Sequence, residues 1–117
     1  MEAISTMSRA PPKAVSYSVE YALKTLGANI RTARVRRGLS LQEVAERIGV
    51  ERHTAADAER GKPSTTVAVY AGLLWALGMI DQLEAVANPA ADDEGRTLAM
   101  AREPKRAGRA ETLDNDF

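Results

Sequence analysis

IRTARVRRGLSLQEVAERIGVERHTAADAERG, residues 30–61, holds two short amphipathic segments that meet at a glycine behind a basic lead-in. Ser40 precedes Glu43 by three positions, the spacing at which a hydroxyl and a carboxylate satisfy free backbone N–H groups at a helix start. A helix is therefore predicted from Leu41. Leu41, Val44, Ala45 and Ile48 fall on one helical face, and Gln42, Glu43, Glu46 and Arg47 fall elsewhere. Gly49 permits the left-handed backbone that ends a helix. Only Gly49 to Glu51 separate this helix from a second, Arg52 to Arg60. So short a turn makes the second helix pack across the first, the arrangement that sets a recognition helix in a DNA major groove.

Upstream, Val19, Leu23, Leu26, Ile30 and Ala33 share a helical face, which predicts a helix from Ser18 to about Arg37 that Gly27 can split. Arg31, Arg34, Arg36 and Arg37 crowd its last turns, where cations complement the negative helix end. Arg31, Arg36 and Arg37 are candidate phosphate contacts, although a solvated basic face explains the same residues. Residues 1–17 mix small and polar side chains around Pro11-Pro12 and read as a flexible arm, with Arg9 and Lys13 able to touch DNA.

Downstream, Gly61 to Thr66 is a loop by composition. Lys62 and Thr66, beside the N–H groups of the next helix start, form a second candidate phosphate clamp. The next helix, Val67 to Leu77, is apolar nearly all round, with Val67, Tyr70, Leu73, Leu74 and Leu77 as inward candidates. Trp75, the sole tryptophan, reads as core or dimer packing, with a partner contact as the alternative. A fifth helix is expected over about Asp81 to Ala87 from the spacing Asp81-x-x-Glu84. Met79, Ile80, Leu83 and Val86 form an apolar stripe, assigned with Trp75 to a twofold dimer or a partner. Asp92 to Ala101 adds a short helix, Pro104-Lys105-Arg106 a basic stop, and residues 107–117 a disordered end whose Phe117 reads as idle or as an anchor for a partner.

At 117 residues with 44% apolar side chains, the chain suits one small domain. The absence of cysteine and the single histidine exclude disulfide frameworks, thiol catalysis and cysteine-built zinc sites. With no glycine-rich phosphate loop and no constrained carboxylate pair either, the expectation is a non-enzyme without metal or cofactor. No long apolar run is present, so neither a membrane span nor a secretory leader is expected, and the cytoplasm is the default location. The net charge of zero hides a polarity: residues 1–80 hold 11 basic and 7 acidic side chains, residues 81–117 hold 5 and 9. A basic front and an acidic back suit one face toward phosphate and another toward a protein, although solvated charge produces the same counts.

Arg34, Gly38, Leu39, Ser40, Glu43, Val44, Ala45, Ile48, Gly49, Val50, Glu59 and Gly61 stand where the phage-repressor (XRE/Cro) helix-turn-helix family places such residues, and the stretch resembles that family. The resemblance implies a structural ion pair between Arg34 and Glu59. It implies that Arg52, His53, Ala56 and Asp57 face the bases of the groove, with Thr54, Ala55 and Ala58 partly inward. Gln42 and Thr54 join Arg31, Arg36, Arg37, Lys62 and Thr66 as phosphate contacts. Arg52 is the leading base reader, since a guanidinium can bond two acceptors on guanine. His53 can donate to a base or phosphate, or be a plain surface residue. Glu51, Asp57, Ala58 and Leu41 depart from the family pattern. A groove-facing carboxylate repels phosphate unless it accepts from cytosine N4, so Asp57 predicts an unusual sequence preference or modest affinity.

The run ALGMIDQLEAVANPAADDEGRTLAMAREPKR, residues 76–106, resembles the HipB-like antitoxins that partner HipA-like kinase toxins. The expected architecture is thus all-α: a compact five-helix helix-turn-helix domain of the phage-repressor type over residues 18–88, between a flexible N-terminal arm (1–17) and an acidic then basic C-terminal tail (89–117). The expected function is that of a sequence-specific transcriptional repressor, an autoregulating antitoxin that binds a palindromic double-stranded operator as a homodimer and takes a HipA-like kinase as partner. The rival is a protein-binding module that neutralises a partner and has little specific DNA affinity.

Overall fold

A computed structural model describes residues 16–103. The expectations for residues 1–15, with Arg9 and Lys13, and for residues 104–117, with Lys105, Arg106 and Phe117, lie outside the described residues. Those described form six α-helices and no strand. They divide into two compact units, one ending at Leu83 and the other starting at Glu84.

In the first unit, Ser16 accepts the Val19 N–H at 3.2 Å and starts α1, Tyr17–Arg36, one residue earlier than the apolar spacing indicates. Gly27 does not split this helix, which runs unbroken through it. The glycine instead admits α3, Arg52–Glu59, against the α1 backbone: a Cβ on Gly27 would lie 2.6 Å from the Glu59 carbonyl oxygen and closer still to that of Ala58. Gly61 approaches from the other side, where a Cβ would lie 2.5 Å from the Leu23 carbonyl oxygen. Two backbones meet here, and only residues without side chains allow it.

Ser40 and Glu43 form the reciprocal capping box that opens α2, Leu41–Ile48, at 3.0 Å and 2.7 Å. Gly49 closes the helix at φ +74, and the Val50 N–H returns to the Ala45 carbonyl. Glu51 then stands at the N-cap of α3 and supplies no side-chain cap bond. In the packed unit α2 lies on α3 and on α4, Val67–Ala76, while α1 lies on α3. The core takes Ile30 and Ala33 from α1, Val44 and Ala45 from α2, Ala55 and Ala58 from α3, and Tyr70, Leu73, Leu74 and Leu77 from α4 and its end. Ala58, where a larger core side chain was the family expectation, is wholly buried beside Gly27, so its small size fits the close helix crossing.

Arg34 and Glu59 bind across α1 and α3 through Nε to Oε2 at 2.6 Å and Nη2 to Oε1 at 3.0 Å, and Arg34 Nη1 also donates to the Leu39 carbonyl at 2.9 Å. Their side chains keep 12% and 6% of their exposure, so removing one partner would strand a desolvated charge, typically a loss of about 3–5 kcal/mol.

Val67 corrects the inward set of α4: it is 70% exposed, because it is the first residue of the helix and the core draws on the face of Tyr70, Leu73 and Leu74. Trp75, at 58% exposed, lies outside the core of the chain. The fifth helix is also shorter than expected. It is α5, Ile80–Glu84. Met79, Ile80 and Leu83 pack partly onto the core of their own unit, and Val86 is exposed beyond the helix end. Ala87 takes a left-handed backbone (φ +59) and Asn88 an extended one ahead of Pro89, a combination that forbids helix continuation.

In the second unit, Asn88 caps a 3₁₀ turn, Pro89–Ala91, and Asp92 accepts the Gly95 N–H at 3.0 Å to start α6, Asp93–Ala101. Arg96 is tied to Asp93 at 3.0 Å and to the Ala90 carbonyl at 3.2 Å. None of these helical residues is buried.

Candidate nucleic-acid interface

The outward side of α3 is set by what its inner side must do. Ala55, Ala58 and Glu59 are buried, so Arg52 and His53 stand exposed at the start of the helix, with Thr54 and Ala56 half-buried beside them. Arg52 does not stand alone. Arg31 from α1, Ser40 and Leu41 from the start of α2, and Ala56 and Arg60 from α3 and its end join it around a shallow depression of about 460 Å³, with the Arg34–Glu59 pair also in its wall. Arginines from α1 and α3 thus meet on one concave surface beside the start of α2, and such a surface suits a partner rich in phosphate.

Arg60 is a member of this surface that the sequence reading left out. The signal was present in the spacing Asp57-x-x-Arg60, which puts an acid and a base one helical turn apart. In the folded chain Arg60 Nη2 pairs with Asp57 Oδ1, and Lys62 Nζ stands 3.6 Å from Asp57 Oδ2. The Asp57 side chain is only 18% exposed. The Asp57 carboxylate is therefore held between two cations.

The other candidates divide by how committed they already are. Arg31 and Arg36 are exposed, while Arg37 folds back to donate to the Ala33 carbonyl at 3.0 Å. Gln42 is exposed and donates to Glu46 at 2.8 Å. Thr66 is exposed at the N-cap of α4 and makes no side-chain cap bond. Lys62 lies one turn of loop away, its carbonyl 3.4 Å from the Tyr70 hydroxyl. Burial raises the Tyr70 phenol above its ordinary pKa, a bond with Thr65 lowers it and the nearby Asp57 charge raises it. Trp75 and Val86 are exposed away from the core, whereas Met79, Ile80 and Leu83 are half-buried.

Among the described residues no helix is long and apolar enough to cross a membrane, and no group of three or more His, Asp or Glu side chains is placed to hold a metal ion. Comparison with curated proteins and with solved structures gives no match. A family model described as a helix-turn-helix domain matches residues 25–87, which is more than half of the chain and runs from the middle of α1 past the end of α5. The chain therefore belongs to the helix-turn-helix domain family, whose two-helix unit is a DNA-binding one.

Proposed function

We propose that this protein is a sequence-specific transcriptional repressor that binds a palindromic operator as a homodimer, and that it is the autoregulating antitoxin of a HipA-like kinase toxin. The observation that carries the DNA-binding part is the gathering of Arg31, Arg52 and Arg60 around one depression on the exposed side of α3. Arg52 and His53, at the exposed N-terminal end of that helix, are the residues best placed to reach base edges, since recognition helices read bases from their N-terminal part. Arg31, Arg36, Gln42 and Thr66 surround them as backbone contacts. The pairing of Asp57 with Arg60 and Lys62 offsets part of the repulsion on which the rival reading rests, in which groove-facing acids abolish DNA affinity. The dimer and the toxin rest on less: the exposed Trp75 and Val86, and the pattern of residues 76–106 that resembles HipB-like antitoxins.

The test is binding of the full chain to its own upstream DNA and to unrelated DNA of equal length, titrated across salt, with Arg52→Ala alongside. A preference of about a thousandfold or more for the upstream DNA is expected. Arg52→Ala should lower that preference by roughly 10- to 100-fold, as the loss of one bidentate base contact does. Weak and equal binding to both DNAs would overturn the repressor. For the antitoxin, a HipA-like kinase encoded beside the gene should form a stable complex with the protein and lose activity in it; a kinase that ignores the protein would remove that part alone.

A further inference from the structure

Asp57 lies among the cations that end α3, and it engages two of them, Arg60 and Lys62, at once. We infer that Asp57 sets the specificity of the interface by holding these two cations intramolecularly, so that the protein grips a generic phosphate backbone weakly and depends on base contacts for tight binding. The inference rests on the DNA-binding reading proposed above. Generic affinity scales with the number of phosphates a protein neutralises, because each releases condensed counterions. A cation already paired releases few. Arg60 and Lys62 lie at the C-terminal end of α3 and in the loop after it, whereas Arg52 lies at the opposite end, so the restraint acts on the backbone-facing group and leaves the base reader free. Tyr70, buried beneath the loop with its hydroxyl toward the Lys62 carbonyl, keeps Lys62 within reach of Asp57.

The experiment measures the salt dependence of binding to unrelated DNA for the parent chain, Asp57→Asn, Arg60→Gln and the double variant, with the operator-to-unrelated ratio taken at one salt concentration. Asp57→Asn is expected to steepen the slope of log K against log salt by about one to two and to tighten unrelated binding several-fold, so that the ratio falls. Arg60→Gln should change the slope by well under one on the parent and by about one on the Asp57→Asn background. Equal effects of Arg60→Gln on both backgrounds would overturn the inference, since general charge repulsion makes no distinction between them. So would an unmoved slope in Asp57→Asn. Should Asp57→Asn fail to fold, Arg60→Gln and Lys62→Gln on the native chain decide: a loss of about one from the slope in either shows a cation that was free all along and overturns the inference. A parent protein that binds neither DNA overturns both readings; one that binds, with the Asp57→Asn slope unmoved, overturns only this one.

Discussion

A methyl group at Gly27 would occupy space already taken by the backbone of α3. Two effects of opposite sign meet there. Alanine in place of glycine favours a helix by about 1 kcal/mol. Against that, the Glu59 carbonyl oxygen would lie 2.6 Å from the new carbon, and a carbonyl inside a packed helix cannot rotate aside. Overpacking of this kind typically costs about 1–3 kcal/mol, so once the propensity gain is subtracted Gly27→Ala is expected to destabilise the chain by up to about 2 kcal/mol. Denaturant melts read the change as a lower midpoint at unchanged slope. A variant as stable as the parent would show that α1 shifts freely, and the crossing would lose its importance. In the sequence Gly27 reads as a helix breaker, since nothing local says which backbone arrives. Asp57 teaches the same lesson from the polar side: helical spacing sets Arg60 one turn on, but only the turn at Gly61 brings Lys62 to the second carboxylate oxygen.

At the scale of elements, α2 is the helix whose local signals are complete. Glu43 accepts the Ser40 N–H, and that backbone bond first, with the Ser40 hydroxyl second, holds its carboxyl below the ordinary glutamate range. A carboxyl depressed on folding contributes stability that is present above its unfolded value, about 4.3, and is lost as pH falls through the lower folded value. Glu43→Gln keeps a capping side chain but not the charge. The gap in thermal midpoint between parent and Glu43→Gln is therefore expected to be open at neutral pH and to close in acid, below about pH 4. A gap that stays constant across that range would mean the carboxylate's charge plays no part in the cap. The starts of α2, α3 and α4 are legible because Ser40, the Gly49 turn and the Pro63 loop announce them. The end of α5 is not, because the apolar spacing continues to Val86 while Ala87, Asn88 and Pro89 turn the backbone away.

For the whole molecule, every buried apolar residue described belongs to the unit that ends at Leu83, and the helical residues after it bury none. A chain ended after Leu83 is accordingly expected to unfold cooperatively with a thermal midpoint within about 5 °C of the parent, the shift that roughly 1 kcal/mol produces in a domain of this size. Calorimetry of the two chains settles it. A much larger drop, or loss of a cooperative transition, would show that residues beyond Leu83 contribute to the stability of the core. The charge polarity of the chain is consistent with the division, since the basic surplus lies before residue 81 and the acidic surplus after it.

The sequence alone determined the all-helical class, the two short helices around Gly49 and the capping box that starts the first of them, because spacing, capping and turn chemistry act within a few residues of one another. Tertiary structure decided the rest. The Arg34–Glu59 pair spans 25 residues, the Gly27 crossing needs two helices in contact, and the depression lined by Arg31, Arg52 and Arg60 exists only where three elements converge. Contacts between residues so far apart along the chain leave no trace in local periodicity, whereas a pair one helical turn apart, such as Asp57 and Arg60, does.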